Sequence, residues 1–211
     1  MACDLEQHLG KLDRSVIDLE KDGRPARSVI LSRLYETDMD DLWDALTNGE
    51  RIPRWFLPLE GDLRLGGRFQ FKGNAGGEIV ECEPPRHLAV TWEMHADVSW
   101  VEGRLTTEAA DVTRLTLTHT AIVSAFWHQY GPGAVGVGWE LGFVGLASHL
   151  AAPDAPRMDE EAFSKSAAGK GFMRQSARLW GEADIARGET PLQAQAAAER
   201  TAGFYLGVSQ G

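Results

Sequence analysis

The sequence predicts an α+β domain in which an antiparallel sheet is followed by a long helix. Between residues 61 and 122, apolar and polar side chains alternate with the period of two that a strand with one buried face requires. Short turns separate these runs, which favours antiparallel pairing. From Trp139 onward the apolar residues recur at steps of three and four, the period of a helix. Strands and helices in separate runs are typical of the α+β class.

The first 46 residues predict a short helix, a hairpin and a second helix. Leucines at positions 5, 9 and 12 have helical spacing. The runs 15–20 and 27–35 are rich in β-branched and apolar residues, and Asp22-Gly23 between them supplies the positive φ of a tight turn. A cluster of acidic side chains then precedes 42–46, where it would cap the start of a helix.

The strand region is divided by glycine and proline pairs. Its last strand has the cleanest alternation, with Leu115, Leu117 and His119 on one face and threonines on the other. Before these strands, the aromatic residues at 55 and 56 lie in a loop between two prolines. The predicted strands cover 68–72, 78–83, 88–95, 101–107 and 112–122.

The C-terminal part of the sequence is helical. We interpret the glycine-rich stretch 131–138 as a turn before the long helix, and 152–156 as a linker. Helices are then predicted over 161–187 and 191–206, the second one starting with a capping box at Thr190. Because these helices have no strand to close a core, we expect them to dock on the rest of the chain or on a second copy. The predicted divisions are an N-terminal segment (1–13), a main domain (14–152) and a C-terminal helical extension (153–211).

The composition excludes several classes of function. The net charge of -10 disfavours nucleic acid and anionic membrane surfaces as partners. No apolar stretch reaches the roughly 20 residues of a membrane span, and the N-terminus lacks the features of a signal peptide. Cys3 and Cys82 are too few for a disulfide framework, and the six histidines include no pair at metal-ligand spacing. We expect a cytoplasmic protein without a metal or a cofactor.

No recognised catalytic motif occurs in the sequence. It contains no phosphate loop, no nucleotide fingerprint, no HExxH pattern and no nucleophile elbow. This favours a binding protein over an enzyme without deciding between them. His119 is the most interesting ionisable residue, because the alternation places it on an apolar face, where it is either a satisfied core histidine or a ligand contact.

The aromatic residues are either core or the wall of an apolar ligand site. Trp127 stands just before the glycine-rich stretch, where a loop could close over a cavity. The candidate ligand-binding residues are Trp43, Trp55, Phe56, Phe69, Phe71, Trp92, His119, Trp127, Trp139 and Phe143.

Several motifs occur in the same order as in a known family. They are Trp43 to Thr47, Asp62 to Phe69, Pro84 to Leu88 and Thr113 to His119, followed by Gly138-Trp139. Over about residues 14–150 the sequence resembles the ATPase-activator branch of the START-like, or SRPBCC, superfamily. The resemblance implies a helix-grip fold, a curved antiparallel sheet wrapped around a long helix, with two extra C-terminal helices as in some bacterial members.

The resemblance also implies a cavity between the sheet and the long helix, which in related branches holds lipids, polyketides or other apolar molecules. Our leading hypothesis is therefore the binding of a hydrophobic small molecule. Two alternatives remain open. The first is an interaction module, either a regulator of the heat-shock-protein-90 ATPase or a homodimer. The second is a cyclase-like or hydrolase-like enzyme in which His119 acts with Glu102 or Glu140.

Overall fold

The structure, a computed structural model, describes residues 5–208, so that Cys3 lies outside the described residues. The fold is α+β, as predicted, with eight strands in one curved antiparallel sheet and a long helix after them. The order of the strands in the sheet is β1-β2-β8-β7-β6-β5-β4-β3. The strands are β1 (Asp13–Lys21), β2 (Arg24–Tyr35), β3 (Leu59–Gly61), β4 (Arg68–Phe71), β5 (Gly76–Glu83), β6 (His87–Met94), β7 (Asp97–Ala109) and β8 (Val112–Ile122).

The helices lie at both ends of the chain and between β2 and β3. A short 3-10 helix at Ile52–Arg54 precedes the Trp55-Phe56 pair. The α-helices are α1 (Leu5–Gly10), α2 (Met39–Thr47), α3 (Ala125–Tyr130), α4 (Gly133–Ala151), α5 (Glu160–Lys165), α6 (Ala167–Arg187) and α7 (Pro191–Tyr205).

The chain forms two compact units. The first contains the described residues of 1–31, 122–141 and 158–211, and the second contains 32–121 and 142–157. Each unit is assembled from separate stretches of the chain that contact one another. The predicted division at residues 13 and 152 concerns stretches of sequence, and it stays a prediction.

The first unit is organised by a tight hairpin and by buried helix faces. Asp22 and Gly23 have φ angles of 53° and 71°, the positive values predicted for the turn between β1 and β2. Helix α6 packs on β1 and on α7. Its largest buried side chain is Trp180, which is fully enclosed. Trp180 packs against Gly136 of α4, so closely that an added Cβ would lie 2.2 Å from the indole ring.

The second unit contains most of the sheet. Its register pairs Val90 with Val101 and Val101 with His119, so these three side chains share one face. The burial of β8 alternates residue by residue, as its sequence predicts. Asp38 caps the N-terminus of helix α2, because its carboxylate accepts a hydrogen bond from the Asp41 backbone N–H at 2.8 Å.

Some predicted boundaries differ from the observed ones. The stretch 131–138 is mostly the first part of α4, because close packing of its glycines on other helices outweighs their low helix propensity. The single helix predicted over 161–187 is two helices, because Ser166 ends α5 and caps α6 by accepting a hydrogen bond from the Gly169 N–H. Strand β3 and helix α3 were not predicted, and β7 begins at Asp97 rather than Val101.

Candidate functional site

Eight of the ten candidate residues lie in the second unit. Phe69, Phe71, His119 and Phe143 are buried, and the remaining four of these residues are half-buried. Trp127 and Trp139 belong to the first unit. The eight are Trp43 on α2, Trp55 and Phe56 after the 3-10 helix, Phe69 and Phe71 on β4, Trp92 on β6, His119 on β8 and Phe143 on α4.

Five of these side chains form a continuous group of rings, which we call the aromatic cluster: Trp55, Phe56, Phe69, Phe71 and Trp92. The ring of Phe71 is central, with centroid distances of 5.0 Å to Phe56, 5.5 Å to Phe69 and 5.7 Å to Trp92. Trp55 extends the cluster by contacting Phe56 at 5.5 Å. The edge-to-face and tilted geometries are those that aromatic pairs prefer. All five residues are among the ten predicted ligand-site candidates, and their role in binding a ligand stays a prediction.

Local structure explains how each part of the cluster is held. Phe69 and Phe71 alternate with exposed residues on β4, so both rings lie on the buried face. The Trp55 indole N–H donates a 2.9 Å hydrogen bond to the Ala45 carbonyl, which ties the loop to α2. The Trp55 carbonyl lies so close to Gly145 of α4 that a Cβ there would be only 2.4 Å from the oxygen.

His119 is a buried polar residue next to the cluster. Its ring lies 6.4 Å from the Trp92 ring, edge to face, and the residue is only 4% exposed. His119 Nε2 and Ser99 Oγ are 2.9 Å apart, and Ser99 Oγ donates to the Trp92 carbonyl at 3.0 Å. Because the Ser99 hydroxyl proton is used on that carbonyl, Ser99 accepts from His119, which assigns the ring proton to Nε2. Burial lowers the pKa of His119 to about 4, so the imidazole is neutral at pH 7.

Glu102 does not lie beside His119. The register pairs His119 with Val101 and Glu102 with Thr118, so the glutamate points to the opposite face of the sheet. There Glu102 Oε1 lies 2.9 Å from His87 Nε2 and also binds Arg104. The enzyme hypothesis with Glu102 as the partner of His119 therefore has no geometric support.

Glu140, the other suggested acid, is fully buried in the first unit. Arg14 Nε donates to its Oε1 at 2.5 Å. Burial raises the pKa of Glu140, and Arg14, Ser176 and Trp180 act against that rise. The carboxylate is therefore part of a buried ion pair.

The remaining candidates lie outside the aromatic cluster. The Phe143 ring contacts Tyr35 at 6.2 Å, and the Tyr35 hydroxyl donates to the Phe143 carbonyl at 3.4 Å. In the first unit, the Arg27 guanidinium lies 5.4 Å from the centre of the Trp127 ring. Trp43 and Trp139 are both half-buried, on α2 and α4.

Sequence reasoning missed Ser99, the hydrogen-bond partner of His119. Its signal is the alternation of β7, which places Ser99 on the same face as Val101 once the strand is extended to Asp97. It also missed Arg14 and Trp180. Their contacts with α4 join residues far apart in the chain, and no local pattern indicates them.

The comparisons with known proteins agree with this architecture. The model of the family described as "Activator of Hsp90 ATPase homolog 1-like protein" matches residues 36–151, more than half of the chain. The chain belongs to this family. The resemblance to the START-like superfamily is thereby confirmed, and the second unit lies within the matched region apart from its first and last few residues. A comparison with curated proteins finds no match.

Several solved structures are similar to this chain. CalU16 from Micromonospora echinospora is 32% identical. Its crystal structure has a TM-score of 0.68 and covers 82% of this chain and 97% of CalU16. Its solution NMR structure has a TM-score of 0.71 and covers 89% and 100%. Protein MLL2253 from Mesorhizobium loti is 25% identical, with a TM-score of 0.53 and coverage of 61% and 99%. In both structures the CalU16 match covers more of the chain than the family model does.

Helix α4 of this family member is long and apolar enough to cross a membrane. Half of its most apolar 18-residue stretch is buried inside the protein, and the helix carries Glu140 in a buried ion pair. Both features are those of a core helix. Within residues 5–208, no three histidine, cysteine or acidic side chains come together in a way that could hold a metal ion.

Proposed function

We propose that the protein binds an uncharged, apolar small molecule, aromatic or lipid-like, at the aromatic cluster. The observation that carries this proposal is the run of contacting rings that leads from Trp55 to the buried, hydrogen-bonded His119. Trp55, Phe56 and Trp92 are only half-buried, so part of their surface is still available for contact. Ligand sites in proteins are mostly apolar and aromatic, with a few placed polar groups.

The charge at the cluster supports an uncharged ligand. His119 is neutral at pH 7 because burial lowers its pKa to about 4. Its neighbours on the same face include the Ser99 hydroxyl and the Trp92 ring. A carboxylate or an ammonium group placed there would lose its hydration without gaining an opposite charge from these three residues. The cavity that the START-like resemblance implies is in keeping with such a ligand.

Fluorescence titration with a neutral probe tests the proposal. N-phenyl-1-naphthylamine should bind the purified protein saturably, with increased and blue-shifted emission. Trp92→Leu should weaken the affinity by about tenfold, because it removes an aromatic contact and part of the apolar wall. Trp100→Leu is the matched control, because the register places Trp100 on the opposite face of the same sheet region.

The outcomes distinguish binding at the aromatic cluster from nonspecific binding of the probe to apolar surface. Binding at the aromatic cluster is supported if Trp92→Leu weakens the affinity about tenfold while Trp100→Leu changes it less than twofold. An equal loss of probe affinity in both variants, or no saturable binding by the unmodified protein, would refute the proposal. Circular dichroism melting of each variant shows whether the fold is kept.

The family description favours a second candidate function, interaction with a chaperone ATPase. The matched model is named after activators of Hsp90, and its residues 36–151 include the whole sheet after β2. The ATPase rate of a purified Hsp90 should then rise with added protein and reach a plateau. A flat rate over a range extending well above the Hsp90 concentration would count against this candidate. The cytoplasmic location and the homodimer both stay predictions.

A further inference from the structure

Strand β1 lies at one end of the sheet, and no strand in the described part of the chain pairs with its outer edge. The strand has nine residues, none of them proline, and it ends at the tight turn Asp22-Gly23. An edge strand presents backbone N–H and C=O groups that can pair with a strand of another chain. The edge of β1 is therefore a place where a second chain can extend the sheet.

The hydrogen bonds around the hairpin show which groups of β1 face this edge. The Val123 N–H donates to the Pro25 carbonyl at 3.0 Å, so Pro25 faces away from β1 and the even-numbered residues of β2 face towards it. The two-residue turn places Lys21 opposite Arg24, so the odd-numbered residues of β1 bond to β2. The even-numbered residues of β1 consequently point their N–H and C=O groups outward.

The two faces of β1 differ in what covers them. On the even-numbered face Val16 is buried, and Asp18 pairs with Arg187 of α6 at 2.9 Å, which is where α6 packs on the strand. The odd-numbered face is more open, and Ile17 is 45% exposed there. Asp13 and Ser15 are exposed on the same face, and Leu19 and Lys21 are half-buried. Ile17 is thus an accessible apolar side chain beside an unpaired edge.

The charges of β1 are complementary to those of a second, antiparallel β1. Ile17 is the middle residue of the strand, so a twofold axis through it places Asp13 of each copy opposite Lys21 of the other. This register pairs all nine residues and joins the even-numbered residues to one another, as their outward N–H and C=O groups require. An axis through Asp18 would instead bring two carboxylates face to face.

We propose that two copies of the chain associate through β1, antiparallel and around a twofold axis at Ile17, so that their sheets become one continuous sheet. The two Ile17 side chains meet at the axis, where opposite residues lie closest, and the Asp13–Lys21 pairs flank them. The net charge of -10 makes two chains repel each other in general, and a self-complementary surface offsets this repulsion locally. Asp13 and Lys21 also interact within their own chain, so across the axis they set the register more than the affinity.

Disulfide trapping tests the register. In a Cys3→Ser/Cys82→Ser background, Ile17→Cys should form a disulfide-linked dimer under mild oxidation, because the two Cα atoms at the axis lie about 4.5 Å apart. Ser15→Cys, on the same face of the same strand, is the control. Its two Cα atoms lie roughly 13 Å apart in the proposed register, too far for a disulfide. A dimer with Ile17→Cys alone supports the proposal, whereas no dimer there, or equal amounts with both variants, would overturn it.

Mass measurements by light scattering test the association itself. The unmodified full chain should have twice the mass of one chain, and Ile17→Lys should be a monomer because it places two like charges at the axis. Val80→Lys is the matched control, since Val80 is similarly exposed, at 42%, on β5, a strand that is paired on both sides. Its mass should not change. A monomeric unmodified protein at the concentration used for trapping would contradict the proposal.

Charge reversal provides a third test, and it also serves if Ile17→Lys does not fold. Lys21→Glu should raise the dissociation constant of the dimer about tenfold, because the twofold axis turns two attractive pairs into repulsive ones. Adding Asp13→Lys should restore most of the affinity. Phe204→Glu, at an exposed position of α7, tests the alternative that the C-terminal helices form the interface. No recovery in the double variant, or a dimer lost only in Phe204→Glu, would refute pairing through β1.

Discussion

Replacing Gly145 by alanine tests the close contact between α4 and the loop that carries Trp55. The added Cβ would lie 2.4 Å from the Trp55 carbonyl oxygen, whereas ordinary contacts begin at 3.4 Å. Helix and loop would have to separate by about 1 Å, and no side-chain rotation relieves a clash with a backbone atom. Overpacking of this kind costs about 1–3 kcal/mol.

A second glycine provides the matched control. Gly171 lies inside α6, and a Cβ there would meet nothing within 4 Å. Both substitutions gain the same helix propensity, about 1 kcal/mol, so the difference between the two variants isolates the clash. We expect Gly145→Ala to be less stable than Gly171→Ala by about 1–3 kcal/mol. Urea denaturation followed by circular dichroism, with equal m-values, measures this difference.

The same pair of variants bears on ligand binding. Trp55 belongs to the aromatic cluster, so its displacement should weaken the binding of N-phenyl-1-naphthylamine in Gly145→Ala and leave it unchanged in Gly171→Ala. Equal urea midpoints for the two variants would refute the close contact between Gly145 and the Trp55 carbonyl.

Three further predictions follow from polar contacts. The folded pKa of His119, about 4, is below its ordinary value of 6.5, so stability present above pH 6.5 should be lost as the pH falls towards 4. The loss of stability amounts to about 3 kcal/mol. As the pH is lowered, the urea midpoint of His119→Gln should fall less steeply than that of the unmodified protein. Parallel pH profiles for the two proteins would contradict the buried neutral state of His119. Arg14→Met leaves the buried Glu140 without its cation and should cost about 3–5 kcal/mol, so a near-neutral effect on thermal unfolding would argue against the ion pair. Thr190→Ala removes the cap that accepts from the Gln193 N–H and should cost about 1 kcal/mol, whereas an unchanged melting temperature would show that α7 does not need it.

The elements that sequence patterns predicted well are those whose signal is local. Strand β8 was predicted with both of its ends correct, because its alternation is uninterrupted from Val112 to Ile122. The turn at Asp22-Gly23 and the cap of α7 at Thr190 also follow from chemistry within a few residues. The five residues of the aromatic cluster were among the ten predicted candidates, but the sequence pattern did not indicate which of the ten contact one another.

The elements that were missed depend on contacts between distant parts of the chain. Gly136 is a poor helix former, and only its packing on Trp180 of another helix explains why α4 already includes it. Glu140 could be suggested as a free acid because its partner Arg14 is 126 positions away. Local propensity describes one segment at a time, and tertiary packing overrides it at such positions.

The two parts of α4 therefore have different chemical requirements. Residues 133–141 contain Glu140, whose ion pair has a fixed geometry and a high cost when one partner is removed. Residues 142–151 contain Gly145, which packs on the loop that carries the half-buried rings of Trp55 and Phe56. Substitutions around Glu140 should change stability without a direct effect on probe binding, whereas those around Gly145 should change both. A protein that is stable but does not bind the probe would refute the ligand proposal.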